Sequence, residues 1–212
     1  MSDLSGSIAK RYDALSAKDC CLSCGGAFSL AEIKAGDVCI DLGCGKGHDV
    51  LRMATLAGDN GMAWGVDISD GMLDTAIRHA QVMGFENVRF IKSELEQIDL
   101  ASDFADVVIS NCTINHSLEQ DMVWREIFRI LKPGGHFVVS DIYATEKVPD
   151  IFRNDSEMVA QCWAGAVTKS QYMQHIEDAG FSQSEVLEES NPYDKGSIQV
   201  ASFTIKGTKP KT

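Results

Sequence analysis

The sequence has no run of about 18 apolar residues, the length a membrane helix requires. It also lacks a positive balance: 19 Lys and Arg against 31 Asp and Glu leave a formal net charge of −12, which repels phosphate backbones and anionic headgroups. Neither nucleic acid nor membrane is an expected partner. Four prolines and 18 glycines in 212 residues exclude collagen-like and linker-type chains. No apolar signal stretch opens the sequence, since MSDLSGSIAKRYDAL has the pattern of a capped amphipathic helix. The seven cysteines are odd in number and cannot all pair within the chain, so a reducing, cytoplasmic setting is expected. No repeat, low-complexity tract or linker divides the chain. One domain over 1–212 is the expectation, large enough to bury roughly 70% of its unfolded surface.

Hydrophobic periodicity alternates between strand and helix. Residues 38–42, 62–68, 87–92, 105–110 and 135–142 are short runs rich in Val, Ile and Phe, read as buried strands. Between them, His48 to Ala57, Asp70 to Met83 and Glu119 to Leu131 read as helices, with Gly84 and the KPGG turn (132–135) as stops. Such alternation implies right-handed βαβ units: a Rossmann-like α/β fold with a mostly parallel seven-stranded sheet and helices on both faces. A further helix, Lys169 to Ala179, precedes the tail. There, 184–190 and 197–205 flank NPYDKG with no helix between them, which predicts a C-terminal antiparallel hairpin. Two pieces lie outside the repeat: an N-terminal cap, 1–28, and a cap insertion, 149–168.

The first strand runs into DLGCGKG (41–47), where glycines let a ligand approach the bare backbone at a helix N-terminus. A dinucleotide fingerprint requires a small sixth residue, but His48 or Val50 stands there, and no P-loop Gly-Lys-Ser/Thr occurs. The second strand ends in Asp67, twenty residues after Gly47, where a carboxylate accepts ribose hydroxyls. Ribose recognition without a pyrophosphate fingerprint points to S-adenosylmethionine. The order D-x-G-x-G-x-G, GVDIS, FIKSELEQI, DVVISN and LKPGGHFVVSD resembles the class I S-adenosylmethionine-dependent methyltransferases along 38–142. The resemblance implies that Asp41, Gly43, Cys44, Gly45 and Asn111 surround the methionyl end. It also implies that Asp67 and Ile68 lie at the ribose, and Glu94 and Leu95 at the adenine.

The acceptor belongs at the C-terminal strand ends. The fourth strand leads into SNCTINHS (110–117), which lacks the Asn/Asp-Pro-Pro-aromatic motif of methyltransferases acting on amino groups. His116 is the candidate base for an organic oxygen acceptor, and a small organic O, N or C acceptor is the alternative reading. Cysteine placement favours another. Cys39 alternates within the first strand as a small buried hydrophobe. Cys112 marks the strand end, Cys162 lies in one cap, and Cys20, Cys21 and Cys24 lie in the other. Thiolates from both caps closing on Cys112 select a soft, thiophilic centre such as trivalent arsenic. A lone C-x-x-C (21–24) supplies only two of the four ligands of a structural zinc site.

The set C-G near the N-terminus, S-N-C-x-I-N, V-S-D-I-Y and Q-C-x-x-G-A resembles the arsenite methyltransferases over nearly the whole chain. The resemblance implies transfer of a methyl group from S-adenosylmethionine to arsenite, or its thiol adducts, held by Cys112, Cys162 and Cys24, with Cys20 or Cys21 as the alternative third thiol. It further implies recycling through Cys20 or Cys21 with a thiol reductant, glutathione or thioredoxin, in arsenic detoxification.

Overall fold

A computed structural model describes residues 3–16 and 25–211. Cys20, Cys21 and Cys24 lie outside the described residues. The helix α1 (Asp3–Ser16) precedes a strand–helix alternation: β1 (Val38–Leu42), α2 (His48–Ala57), β2 (Met62–Asp67), α3 (Asp70–Met83), β3 (Val88–Lys92), β4 (Ala105–Asn111), α4 (Gln120–Ile130) and β5 (Leu131–Ala144). Two one-turn helices, α5 (Asp150–Arg153) and α6 (Ser156–Val159), then lead through α7 (Lys169–Asp178) to β6 (Ser184–Glu189), β7 (Tyr193–Lys195) and β8 (Ile198–Thr208). The sheet order is β3-β2-β1-β4-β5-β8-β6, with β7 pairing β8 off this path. Strands β1 to β5 are parallel, and β6, β7 and β8 run antiparallel to their neighbours. Order reverses between β1 and β4, and that is where an open α/β sheet leaves a crevice at its C-terminal edge.

Local chemistry sets the element ends. Ser69 caps α3 by accepting from Met72 N–H, and Gly84 ends that helix in the left-handed region at φ 74°. Thr168 and Gln171 form a capping box on α7. The predicted turn at 132–135 is instead the opening of β5. Ala105 pairs with Leu131 and Val107 with His136, so the KPGG residues form a bulge within the strand, braced where Gly134 N–H donates to the Lys209 carbonyl. The C-terminal pair also differs from a simple edge hairpin. Strand β8 is inserted between β5 and β6, and β7 extends the sheet where a plain turn was expected.

Each face of the sheet is covered. Trp124, Phe137, Tyr172 and Phe181 form an aromatic cluster beneath α4 and α7. Val50, Met53, Leu73 and Ala80 pack beneath α2 and α3, together with Cys39, whose thiol burial pushes up to about 12. The 149–168 insertion has its own small core on the strand tops, made by Val148, Val159, Cys162, Trp163, Ala164 and Val200. Cys162 is thereby seated on the sheet rather than on a loose loop. Among the described residues no helix is long and apolar enough to cross a membrane.

Candidate active site

The glycine loop leaves β1 with Gly43, Gly45 and Gly47 at φ 73°, 51° and 78°, a left-handed path that side chains resist. Three of its N–H groups bond to β2 residues. Gly43 and Cys44 donate to the Val66 carbonyl at 2.8 and 3.0 Å, and Gly45 donates to Asp67 Oδ2 at 2.8 Å. These bonds tie the loop to the end of β2. The Asp67 carboxylate is fixed at its other oxygen by Ser69 N–H at 2.9 Å, and burial pushes its pKa up. The Asp41 carboxyl is pushed up further, by burial first and then by Asp49 and Asp67. Three carboxylates around one loop favour a cationic occupant.

A cavity of about 1040 Å³ opens above this loop. Asp41, Gly43, Cys44, Gly45, Asp67, Ile68, Glu94, Leu95, Asn111 and Cys112 all line it. The sequence-predicted cofactor residues are thus brought to one cavity. The Cys44 thiol sits beside Gly65, where an added Cβ would lie 2.7 Å from Sγ. Asn111 spans two elements, its amide donating to Asp49 Oδ2 at 3.2 Å and its Oδ1 accepting from Ala27 N–H at 3.3 Å.

Beyond Asn111 the chain enters a strained turn. Cys112 has φ 53° and Cys162 has φ 77°, two of four non-glycine positive-φ residues among those described. Such strain persists only where the surroundings impose it, and it concentrates at functional sites. Cys162 Sγ lies 3.5 Å from the Cys112 carbonyl oxygen, so the two thiol-bearing turns touch across 50 residues of sequence. Among the described residues no three His, Cys, Asp or Glu side chains group to hold a metal ion.

A polar lattice holds these turns. Asn115 donates to Asp141 Oδ1 at 2.8 Å and to the Ile142 carbonyl at 2.6 Å. Gln120 donates to Asn115 Oδ1 and to the Gly165 carbonyl, both at 3.0 Å. Burial pushes the Asp141 carboxyl up to about 7. Between the ordinary carboxylate pKa and about 7 the folded chain therefore keeps a proton that the unfolded chain releases. That contribution to stability is present at low pH and is lost as pH rises through 7. Asp141→Asn should raise the melting temperature by several degrees at pH 8 and by much less at pH 4, read by calorimetry at both.

Sequence reasoning expected a helix in an N-terminal cap but did not single out the residues of α1 that face the cavity. Leu4, Ser5, Ile8 and Tyr12 line the cavity from above. Asp13 anchors the helix, with Oδ1 accepting from Ser69 Oγ at 2.6 Å and Gly71 N–H at 2.9 Å. Asp13→Ala should weaken cofactor binding about tenfold, since hydrogen bonds to a charged acceptor contribute about 1.5–3 kcal/mol; titration calorimetry with S-adenosylhomocysteine checks this. The only sequence signal for this role was the helix's own amphipathic pattern.

His116 lines the same cavity but is not an available base. Its Nδ1 faces the Val159 carbonyl at 3.3 Å, its Nε2 meets the Tyr12 hydroxyl at 2.9 Å, and burial lowers its pKa to about 4. The ring is neutral at pH 7, with both nitrogens engaged.

A Rossmann-like sheet of this strand order, with an acidic glycine loop opening into a cavity at the switch point, defines the class I methyltransferase fold. Residues 33–180 match the family described as a methyltransferase domain, and the chain belongs to that family. It is 32% identical to an arsenite methyltransferase of Halobacterium salinarum over 99% of this chain and 57% of that protein. It is 36% identical to an arsenite methyltransferase of Aquipseudomonas alcaligenes over 71% of this chain and 45% of that protein. The chain thus spans about half the length of these curated relatives. Among solved structures, it is similar to an arsenic(III) S-adenosylmethionine methyltransferase from Chlamydomonas reinhardtii at TM-score 0.77 and 28% identity, over 96% of this chain and 74% of that one.

Proposed function

We propose that this protein transfers a methyl group from S-adenosylmethionine to trivalent arsenic held by the thiolates of Cys112, Cys162 and Cys24. The observation that carries the reading is the approach of Cys162 Sγ to the Cys112 carbonyl, with Cys112 on the cavity wall. Gly25 supports the third ligand. It is the residue that follows Cys24 in the sequence, and it packs so tightly on Asn111 and Ser140 that an added Cβ would lie 2.3 Å from Asn111 Oδ1.

When bound, S-adenosylmethionine supplies an electrophilic methyl carbon on a sulfonium. The chain's carboxylates suit that cation, with Asp41 and Asp49 bordering the glycine loop, while Asp67 would accept the ribose hydroxyls and Glu94 and Leu95 would border the adenine. The thiolates orient arsenic with its lone pair toward the cavity. No general base is needed, because trivalent arsenic has no proton to lose in the transfer, and the engaged nitrogens of His116 agree with that. The caps exclude water from a displacement that depends mainly on alignment. Methylation leaves arsenic oxidised. Two cysteine thiols, Cys24 with Cys20 or Cys21, return two electrons to it by forming a disulfide, which glutathione or thioredoxin reopens. This cycle suits detoxification in the cytoplasm, where thiols stay reduced.

The test is an incubation of purified protein with arsenite, S-adenosylmethionine and glutathione, separating arsenic species over time. Methylated arsenic rising with protein concentration is the expected result. Its absence, alongside measurable cofactor binding, would overturn the reading.

A further inference from the structure

Two parts of the site that act on different molecules share one side chain. Tyr12 belongs to α1, the helix over the cofactor cavity. Cys162 belongs to the turn that closes the 149–168 insertion, and its own N–H donates to the Val159 carbonyl at 2.8 Å. That same carbonyl faces His116 Nδ1 at 3.3 Å. A carbonyl can only accept, so Nδ1 carries the ring proton and Nε2 accepts from the Tyr12 hydroxyl. The result is a continuous chain: Tyr12 O–H to His116 Nε2, His116 Nδ1–H to Val159 O, and Cys162 N–H to that same oxygen. His116 is only 6% exposed, and the Tyr12 ring meets it edge-on at 5.4 Å. Burial, with nearby Cys162 adding to it, keeps the Tyr12 phenol protonated as the donor.

We propose that His116 is a positioning residue that couples the cofactor-covering helix α1 to the turn carrying Cys162, so that cofactor binding tightens the thiol site. The coupling rests on the reading of Cys162 as an arsenic ligand only for its purpose, not for its geometry. Settling of α1 over the cavity fixes Tyr12, which orients the imidazole. The imidazole in turn holds the Val159 carbonyl on which the left-handed Cys162 backbone is built. Thermodynamic linkage requires the converse as well: an occupied thiol site favours the closed position of α1.

Stereochemistry separates the two ends of the ring. An asparagine amide at this position falls near Nδ1 and an glutamine amide near Nε2, so each variant keeps one bond and loses the other. The measurements are the alkylation rate of Cys162 by iodoacetamide, followed by peptide mass spectrometry, and the affinity for S-adenosylhomocysteine, with melting temperature recorded for each protein. In the parent, S-adenosylhomocysteine should slow Cys162 alkylation about fivefold or more, within the usual range of coupling between two sites. His116→Gln keeps the Tyr12 contact; its Cys162 should alkylate faster with cofactor affinity held. His116→Asn keeps the Val159 contact; its cofactor affinity should fall with basal alkylation held. Tyr12→Phe removes only a hydroxyl and should abolish the protection by cofactor while leaving basal alkylation at the parent value.

Parent-like behaviour in both histidine variants would overturn the proposal. So would parallel losses in both readouts that track the melting temperature, or protection surviving in Tyr12→Phe. Arsenite methylation by Cys162→Ser at the parent rate would instead refute the arsenic reading, and it would leave the alkylation results to stand by themselves.

Discussion

Cys112→Ser and Cys162→Ser should each lower arsenite methylation by about 10²-fold or more, the cost expected when a reacting group loses its alignment, while affinity for S-adenosylhomocysteine stays within about twofold. Serine keeps the shape of cysteine but not the thiolate, and an alkoxide is unavailable near neutral pH. Arsenic held by the two remaining thiolates would lose its third point of attachment, and its lone pair would swing out of the line of attack. The fold should tolerate the change at Cys112, which is half-buried, better than at Cys162, which packs against Trp163 and Val159. Single-turnover methylation with arsenic speciation reads the loss, and cofactor titration separates it from collapse of the cavity. Trp163 gives a third readout. It is the immediate neighbour of Cys162, is itself buried, and stacks edge-on with Phe152 at 5.3 Å. Arsenite should change its fluorescence in the parent and not in Cys162→Ser. Parent-rate methylation by either variant would remove the thiol site from the mechanism.

Gly43→Ala should abolish cofactor binding or lower it by about 10²-fold, through two separate costs. The backbone there is at φ 73°, which strains any residue with a Cβ, at about 1–3 kcal/mol. The added Cβ would also stand 2.1 Å from Thr113 Oγ1 and 2.7 Å from Thr113 Cβ, so it displaces the residue that follows Cys112. Thr113 has little freedom to retreat, because its hydroxyl donates to the Asn111 carbonyl at 2.9 Å. The substitution therefore damages both halves of the site at once. Gly45→Ala is the contrast. Its φ is 51°, but an added Cβ meets nothing within 4 Å, so it carries the backbone cost without the collision and should bind cofactor better than Gly43→Ala. Equilibrium titration of both variants with S-adenosylhomocysteine compares them; equal affinities would show that contact with Thr113 does not matter.

Much of the site was legible because it rests on short-range patterns. Glycines at alternate positions after a Val/Ile strand, an aspartate at the next strand's end, and a cysteine after Ser-Asn at a fourth strand each declare a place in a βαβ fold from neighbouring residues alone. His116 was legible as a candidate, but its role as a base was not upheld, since both ring nitrogens turned out to be engaged. Asn115 and Asp141 stood out only as members of the S-N-C-x-I-N and V-S-D-I-Y motifs, with no hint that they bond to each other, and Gln120 left no signal at all. They are polar residues inside apolar stretches, and their bonds join positions between 5 and 45 residues apart. Tyr12 meets His116 across 104 residues, and no periodicity reaches that far.

Sequence alone determined the class of fold and singled out the glycine loop and the cysteines Cys112 and Cys162 as candidates, because hydrophobic period, glycine geometry and thiol chemistry act locally. Tertiary structure alone decided that β8 enters between β5 and β6, that α1 covers the cavity, and that Cys162 reaches Cys112. The reason is physical. Those arrangements are chosen by which buried surfaces and polar groups find partners at long range, and that choice is made only when the whole chain packs.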